Sequence, residues 1–184
     1  MNEAELRNLM YTAQLDSNEL PFVVGYPRGE GVMPEWKTEM QEIKIGTGRK
    51  LKDGQDIAIL SFGHVGNFAA SAIRDVKAEG INPAHYDMRF VKPLDEEMLH
   101  EVFSKYNKVI TIEDGTVVGG FGSAILEFMN EHGYKADVKI MGIPDRLVEH
   151  GTPKQLYDEI GIDANGIADM LRVLSKINVA ELIK

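Results

Sequence analysis

The sequence predicts an α/β fold: a mostly parallel sheet with one antiparallel edge strand and helices on both faces. Two observations carry this. From about residue 43 onward, short apolar runs alternate with segments of helical apolar period, the pattern of strands joined by crossover helices. The first two runs, Ile43 to Gly48 and Ile57 to Phe62, flank a Lys52-Asp53-Gly54-Gln55 turn. That spacing predicts a hairpin-like start, and so an antiparallel edge.

Taken in order, Leu6, Leu9, Met10 and Ala13 recur at i, i+3, i+4 and i+7, which predicts an amphipathic helix. A strand is expected over Pro21 to Tyr26. Residues 28–42 hold two glycines and Pro34 and read as a linker, with Trp36 packing it against a domain surface. Past the hairpin, Val65, Phe68, Ala69, Ala72, Ile73 and Val76 give the cleanest helix, and Gly80 ends it. Ala84 to Val91 is the next strand. Asp95 caps a helix bearing Met98, Leu99, Val102, Phe103 and Tyr106. Lys108 to Ile112 is a short buried-type strand. A glycine-rich turn then leads to a helix with Ile125, Leu126, Phe128 and Met129, and Val138 to Met141 is the last strand. Thr152-Pro153-Lys154-Gln155 is a capping box with proline at the first helical position. That helix carries Leu156, Tyr157 and Ile160. A final helix carries Ile167, Met170, Leu171 and Leu174, and residues 175–184 form a tail.

One helix and one strand cannot bury a core alone. Residues 1–27 therefore read as the last pieces of a larger domain, 28–42 as the linker, and 43–174 as the α/β domain. Composition narrows the function. The 184 residues carry a net charge of −9, which argues against nucleic-acid or anionic-membrane surfaces. There are no cysteines, so disulfides, thiol catalysis and cysteine-ligated metals are excluded, and a cytoplasmic location fits. No apolar stretch approaches a membrane span.

Arg28 is the leading binding candidate. Tyr26-Pro27-Arg28-Gly29 follows an apolar run, and Pro27 pushes Tyr26 toward an extended conformation. The expected result is a strand end holding out one guanidinium, suited to a phosphate or carboxylate. Gly119-Gly120-Phe121-Gly122-Ser123 sits where a phosphate loop would lie, but neither G-x-G-x-x-G nor a Gly-Lys-Ser/Thr ending is present. Close helix–strand packing is the favoured role. Glu113-Asp114 closes a strand at the edge where α/β sheets place ligands. It is read either as an acid/base or cation pair, or, favoured, as an Asp114-Gly115 turn with Glu113 facing solvent or a partner domain. Asp87 and Arg89 share a strand face and are expected to pair with each other or to face a partner. None of His64, His85, His100, His132 and His150 has metal-type spacing. His100 and His132 are expected at the surface, and His64 and His150 at an interface or site edge.

Six segments resemble, in order and spacing, the C-terminal part of the 1-deoxy-D-xylulose-5-phosphate synthases, thiamine-diphosphate enzymes of the transketolase group. They are Tyr26 to Gly29, Ile57 to Gly63, Asp87 to Asp95, Gly119 to Ser123, Gly142-Ile143-Pro144-Asp145 and His150-Gly151-Thr152. The resemblance spans about residues 3–174. It implies that 43–174 is a transketolase C-terminal domain and that 1–27 closes a pyrimidine-binding domain. It implies a parent that joins pyruvate to glyceraldehyde 3-phosphate with loss of carbon dioxide, for isoprenoid precursor and thiamine synthesis. That parent is a cytoplasmic homodimer using thiamine diphosphate and Mg2+. Arg28 matches the arginine that binds the glyceraldehyde 3-phosphate phosphate. No position here matches a catalytic, cofactor or metal residue, so this chain alone is expected to be inactive, to bind no cofactor, and to pair with the N-terminal domains of the same enzyme. The alternatives are the C-terminal domain of a 2-oxo acid dehydrogenase β subunit or of transketolase, a non-enzymatic dimerisation module, and a nucleotide-binding domain.

Overall fold

The computed structural model of the protein describes residues 1–176. Helix α1, Glu3–Thr12, is followed by a long irregular segment. Then come β1 (Arg49–Lys52), β2 (Ile57–Phe62), α2 (Gly66–Val76), β3 (Ala84–Asp87), α3 (Glu96–Lys105), β4 (Lys108–Thr116), α4 (Phe121–Glu131), β5 (Asp137–Ile143), α5 (Pro153–Ile160) and α6 (Ala164–Ser175). The sheet order is β1-β3-β2-β4-β5. Only the β1–β3 pair is antiparallel. Of the expected 175–184 tail, Ser175 closes α6 and Lys176 caps it, and the rest lies outside the described residues.

Alternation along the central strands splits the core into two layers. Ile57 and Ile59 of β2, with Ile110 and Ile112 of β4, meet Ala69, Ala72, Ile73 and Val76 of α2 and Ile167, Leu171 and Leu174 of α6. Ala58 and Leu60, with Ala84, Tyr86 and Val109, meet Leu99, Val102 and Phe103 of α3 and Phe121, Ile125 and Phe128 of α4. Each fully buried Ile or Leu contributes roughly 1.5–3 kcal/mol of transfer free energy. The caps behave as the sequence predicts. Asp95 accepts from Met98 N at 2.9 Å. Thr152 and Gln155 form the capping box. Gly80 takes a left-handed φ of 79° at the end of the α2 segment.

The predicted hairpin is not formed. Ile43 to Gly48 is irregular, Gly46 sits at a φ of 76°, and only Arg49–Lys52 becomes a strand. That strand pairs with β3, with Arg49 opposite Asp87 and Lys52 opposite His85. The physical reason is occupancy: β2 is already flanked by β3 and β4, so β1 must take the outer edge. The expected Pro21–Tyr26 strand is also absent. Phe22 and Val24 are half-buried while Val23 is 93% exposed, so the segment is laid on the surface without a ladder partner. Its inward side lines a shallow recess with Leu6 and Met10 of α1 and with Ala13, which caps that helix. β3 stops four residues early because Arg89 adopts a left-handed φ of 56°, which no ladder accommodates.

Candidate functional site at the carboxyl edge of the sheet

The chain leaves the carboxyl ends of β2 and β4 in opposite directions, β2 toward β3 and β4 toward β5. Ligand crevices of open α/β sheets form at such a point. Three side chains fill it here. His64 follows β2, Asp114 lies in β4, and Tyr157 reaches in from α5. Tyr157 Oη donates to Asp114 Oδ2 at 2.8 Å, and His64 Nε2 stands 3.1 Å from Tyr157 Oη and 3.7 Å from Asp114 Oδ2. Burial pushes the His64 imidazole below its ordinary pKa against the opposing pull of Asp114. Burial, then the bond to Asp114, pushes the Tyr157 phenol up to about 12. The trio thus joins α5 to the sheet edge as a neutral imidazole, a phenol and a carboxylate. Sequence periodicity placed Tyr157 on an apolar helix face and gave no sign of this polar use.

Glu113 and Asp114 are not a turn. Both lie in β4 with Gly115. Nor does Glu113 face solvent: it is buried, and its two carboxylate oxygens accept from Phe121 N and Gly122 N at 2.9 Å each. It therefore serves as the cap that Gly120 lacks, placing negative charge at the positive end of α4. The glycine run has the close-packing role. A Cβ on Gly122 would stand 2.6 Å from Ile140 Cγ2, and one on Gly120 would meet the Glu113 carboxylate and Thr116 O.

A second cluster surrounds Glu5. This α1 carboxylate takes Arg89 Nε at 2.8 Å and Arg49 Nη1 at 3.0 Å, while Arg49 Nη2 holds Asp87 at 2.9 Å. Asp87 and Arg89 are therefore not the direct pair expected from strand alternation, since each charge is taken by another element. The signal for Glu5 was an acid on the same α1 face as Leu9 and Thr12, two of which, Glu5 and Thr12, are buried. Further bonds tie α1 to the following segment: Glu3 accepts from Val32 and Met33, Asn8 from Gln41, and Thr12 from Ile43. Trp36 lies 5.8 Å beneath the Arg7 guanidinium, which packs it on α1.

Arg28 stands apart from these groups. It is exposed, on a bend rather than a strand end, and makes no hydrogen bond or ion pair among the described residues. His150 is likewise exposed. His100 is not a plain surface residue, since its Nδ1 lies 2.8 Å from Tyr134 Oη and its ring packs edge-on against His132 and Phe128. Ser61 and His85 form a buried pair at 2.9 Å, but Ser61 is wholly enclosed and no carboxylate orients His85, so they are not a nucleophile and its base.

The described residues do not fit thiamine diphosphate or Mg2+. No group of three or more His, Asp or Glu side chains is placed to hold a metal ion among them. The α4 N-terminus, the kind of helix end that can take a phosphate, has its Phe121 and Gly122 N–H groups taken by Glu113.

A family model described as the transketolase C-terminal domain matches residues 46–167. The chain belongs to the transketolase C-terminal domain family. Within this family it is 59% identical over 177 residues to the 1-deoxy-D-xylulose-5-phosphate synthase of Cytophaga hutchinsonii, covering 96% of this chain and 28% of the relative. It is 53% identical to the synthase of Parabacteroides distasonis, over 94% of this chain and 27% of that one. The match falls on the C-terminal part of these relatives, so the chain spans under a third of their length. A solved structure described as a split gene transketolase, inactive beta4 tetramer, superimposes with a TM-score of 0.67 at 31% identity, over 73% of this chain and 44% of that one. The expected fold class is confirmed. No helix among the described residues is long and apolar enough to cross a membrane.

Proposed function

We propose that this chain acts as the C-terminal portion of a 1-deoxy-D-xylulose-5-phosphate synthase, a transketolase-type transferase that joins pyruvate to glyceraldehyde 3-phosphate with release of carbon dioxide. The single observation that carries this is 59% identity across nearly the whole chain to a synthase, in a stretch that includes Tyr26-Pro27-Arg28-Gly29. The proposed division of labour follows from the chemistry above. Thiamine diphosphate and Mg2+ bind to other domains of the same enzyme, and those domains supply the carbanion chemistry. This chain supplies packing surface and Arg28. An exposed, permanently charged fork with no acid partner among the described residues suits a phosphate dianion. In this reading, residues 1–27 close the preceding domain, 28–42 link, and 43–174 form the C-terminal domain. The assembled enzyme is a homodimer in the cytoplasm.

A chimera tests the proposal: this chain joined to the remaining N-terminal portion of the Cytophaga hutchinsonii synthase. The chimera is expected to form deoxyxylulose phosphate, and the chain alone to form none with thiamine diphosphate and Mg2+ present. A folded but inactive chimera, or an active isolated chain, contradicts the proposal.

A further inference from the structure

The face of the sheet under α2 has a recess unrelated to the carboxyl edge. α2 and α6 lie over the middle of the sheet, against β2 and β4, while β1 is the edge strand beside β3. The gap between β1 and α2 is a cavity of about 360 Å3 lined by Leu51, Lys52, Ala70, Ile73, Arg74, Lys77, Ile81, Asn82 and His85. That volume falls within the range of small-molecule sites, roughly 300–1,000 Å3.

The lining has a definite chemistry. Leu51, Ala70, Ile73 and Ile81 make an apolar wall. Lys52, Arg74 and Lys77 are cationic, and no Asp or Glu lines the cavity, although the chain carries a net charge of −9. Lys52 is committed to the carbonyls of Asp53 and Pro83 and to the Asn82 side chain. Arg74 makes one side-chain bond, to Ser71 Oγ, and Lys77 makes no side-chain bond or ion pair among the described residues. Glu79, on the turn with Lys77, is held by Arg172 at 2.7 Å. Burial, and then the neighbouring Lys77, push the Lys52 ammonium below its ordinary pKa against the opposing pull of Asp53. At the floor lies His85, 2% exposed, with Nε2 against Ser61 Oγ. Ser61 Oγ also donates to Tyr86 O, so it accepts from His85 Nε2–H and leaves Nδ1 as a hydrogen-bond acceptor without a partner among the described residues.

We propose that this cavity binds an amphipathic anion, with a phosphate or carboxylate head on Arg74 and Lys77 and a short hydrocarbon body against Leu51, Ala70, Ile73 and Ile81. Charge complementarity selects the head, and the apolar wall selects the body. The assignment stands apart from the role given to Arg28.

The test is titration of the protein with hexyl phosphate and with heptanoate, followed by calorimetry and by amide chemical shifts. Hexanol and inorganic phosphate serve as single-part controls. At least one amphipathic anion is expected to bind saturably, with the largest shifts at Ala70, Ile73, Lys77 and His85. Which of the two binds more tightly identifies the head group. Each control is expected to bind at least about tenfold more weakly, since one charge-assisted contact is worth that much. The double variant Arg74→Gln/Lys77→Gln should lose about tenfold or more in affinity while keeping its circular dichroism spectrum. The proposal is overturned if neither anion saturates, if the shifts map elsewhere, if the double variant binds equally well, or if either control binds as tightly as the amphiphile.

Discussion

Replacing Glu113 with alanine tests the reading of the glycine-rich turn. The Glu113 carboxylate is 4% exposed and accepts two backbone N–H groups of α4 at 2.9 Å each. Gly120, at the cap position, has no side chain to replace it. Each buried N–H left without a partner costs about 1–3 kcal/mol. A carboxylate at a helix N-terminus adds about 0.3–1 kcal/mol. Glu113→Ala should therefore lower unfolding free energy by about 2–7 kcal/mol, and Glu113→Gln by about half that, because one amide oxygen still accepts. Urea unfolding measures the loss, and hydrogen exchange of Phe121 and Gly122 locates it. A second consequence distinguishes capping from bulk packing. With the carboxylate gone, inorganic phosphate should stabilise the variant and leave the parent chain unchanged. A loss under about 0.5 kcal/mol, typical of featureless surface sites, would refute the capping argument.

Four further outcomes follow from the same geometry. His85 is held neutral, its pKa lowered from 6.5 to about 4 by burial and then by the Arg49 and Lys52 cations. The unfolded chain binds the extra proton between those values, so His85's contribution is full above about pH 6.5, falls by roughly 3 kcal/mol toward pH 4, and levels off below. Unfolding curves at pH 7.5, 6 and 5 should show this slope, and His85→Gln should flatten it. Glu5→Gln should cost about 2 kcal/mol by stranding the half-buried Arg49 and Arg89, with hydrogen exchange rising in α1 before the sheet. Tyr157→Phe should cost about 1 kcal/mol by removing the bond to Asp114, read by thermal unfolding. Leu171→Ala, in the α2–α6 layer, should cost about 2–5 kcal/mol in the same assay.

The elements most legible in the sequence are those whose signals are local. α2 announces itself by an i, i+3, i+4 stripe that is buried as expected, and α3 and α5 by Asp95 and by the Thr152–Gln155 box. What escaped depends on partners far along the chain. Nothing in Arg49–Lys52 says that it pairs with β3 rather than β2, because that choice is made by β4 taking the other side of β2. Phe22-Val23-Val24 has strand propensity but no neighbouring edge to meet. Glu113 looked like a solvent-facing carboxylate because the N–H groups it satisfies lie eight and nine residues on, across a turn. The carboxyl-edge trio was half legible: His64 and Asp114 stood out at strand ends, while Tyr157 was hidden in an apolar stripe. Arg28 is the reverse case. It stood out in sequence through its Tyr-Pro-Arg-Gly setting, yet it has no hydrogen bond or ion pair among the described residues.

The most direct measurement is the Michaelis constant for glyceraldehyde 3-phosphate in the chimera carrying Arg28→Gln. Losing a charge-assisted grip on a phosphate is worth about 1.5–3 kcal/mol, or roughly a 10- to 100-fold fall in kcat/KM. The fall should appear mainly in KM for glyceraldehyde 3-phosphate, with KM for pyruvate unchanged, and Arg28→Lys should recover part of it. Unchanged kinetics toward glyceraldehyde 3-phosphate in a folded, active variant would contradict the role assigned to Arg28.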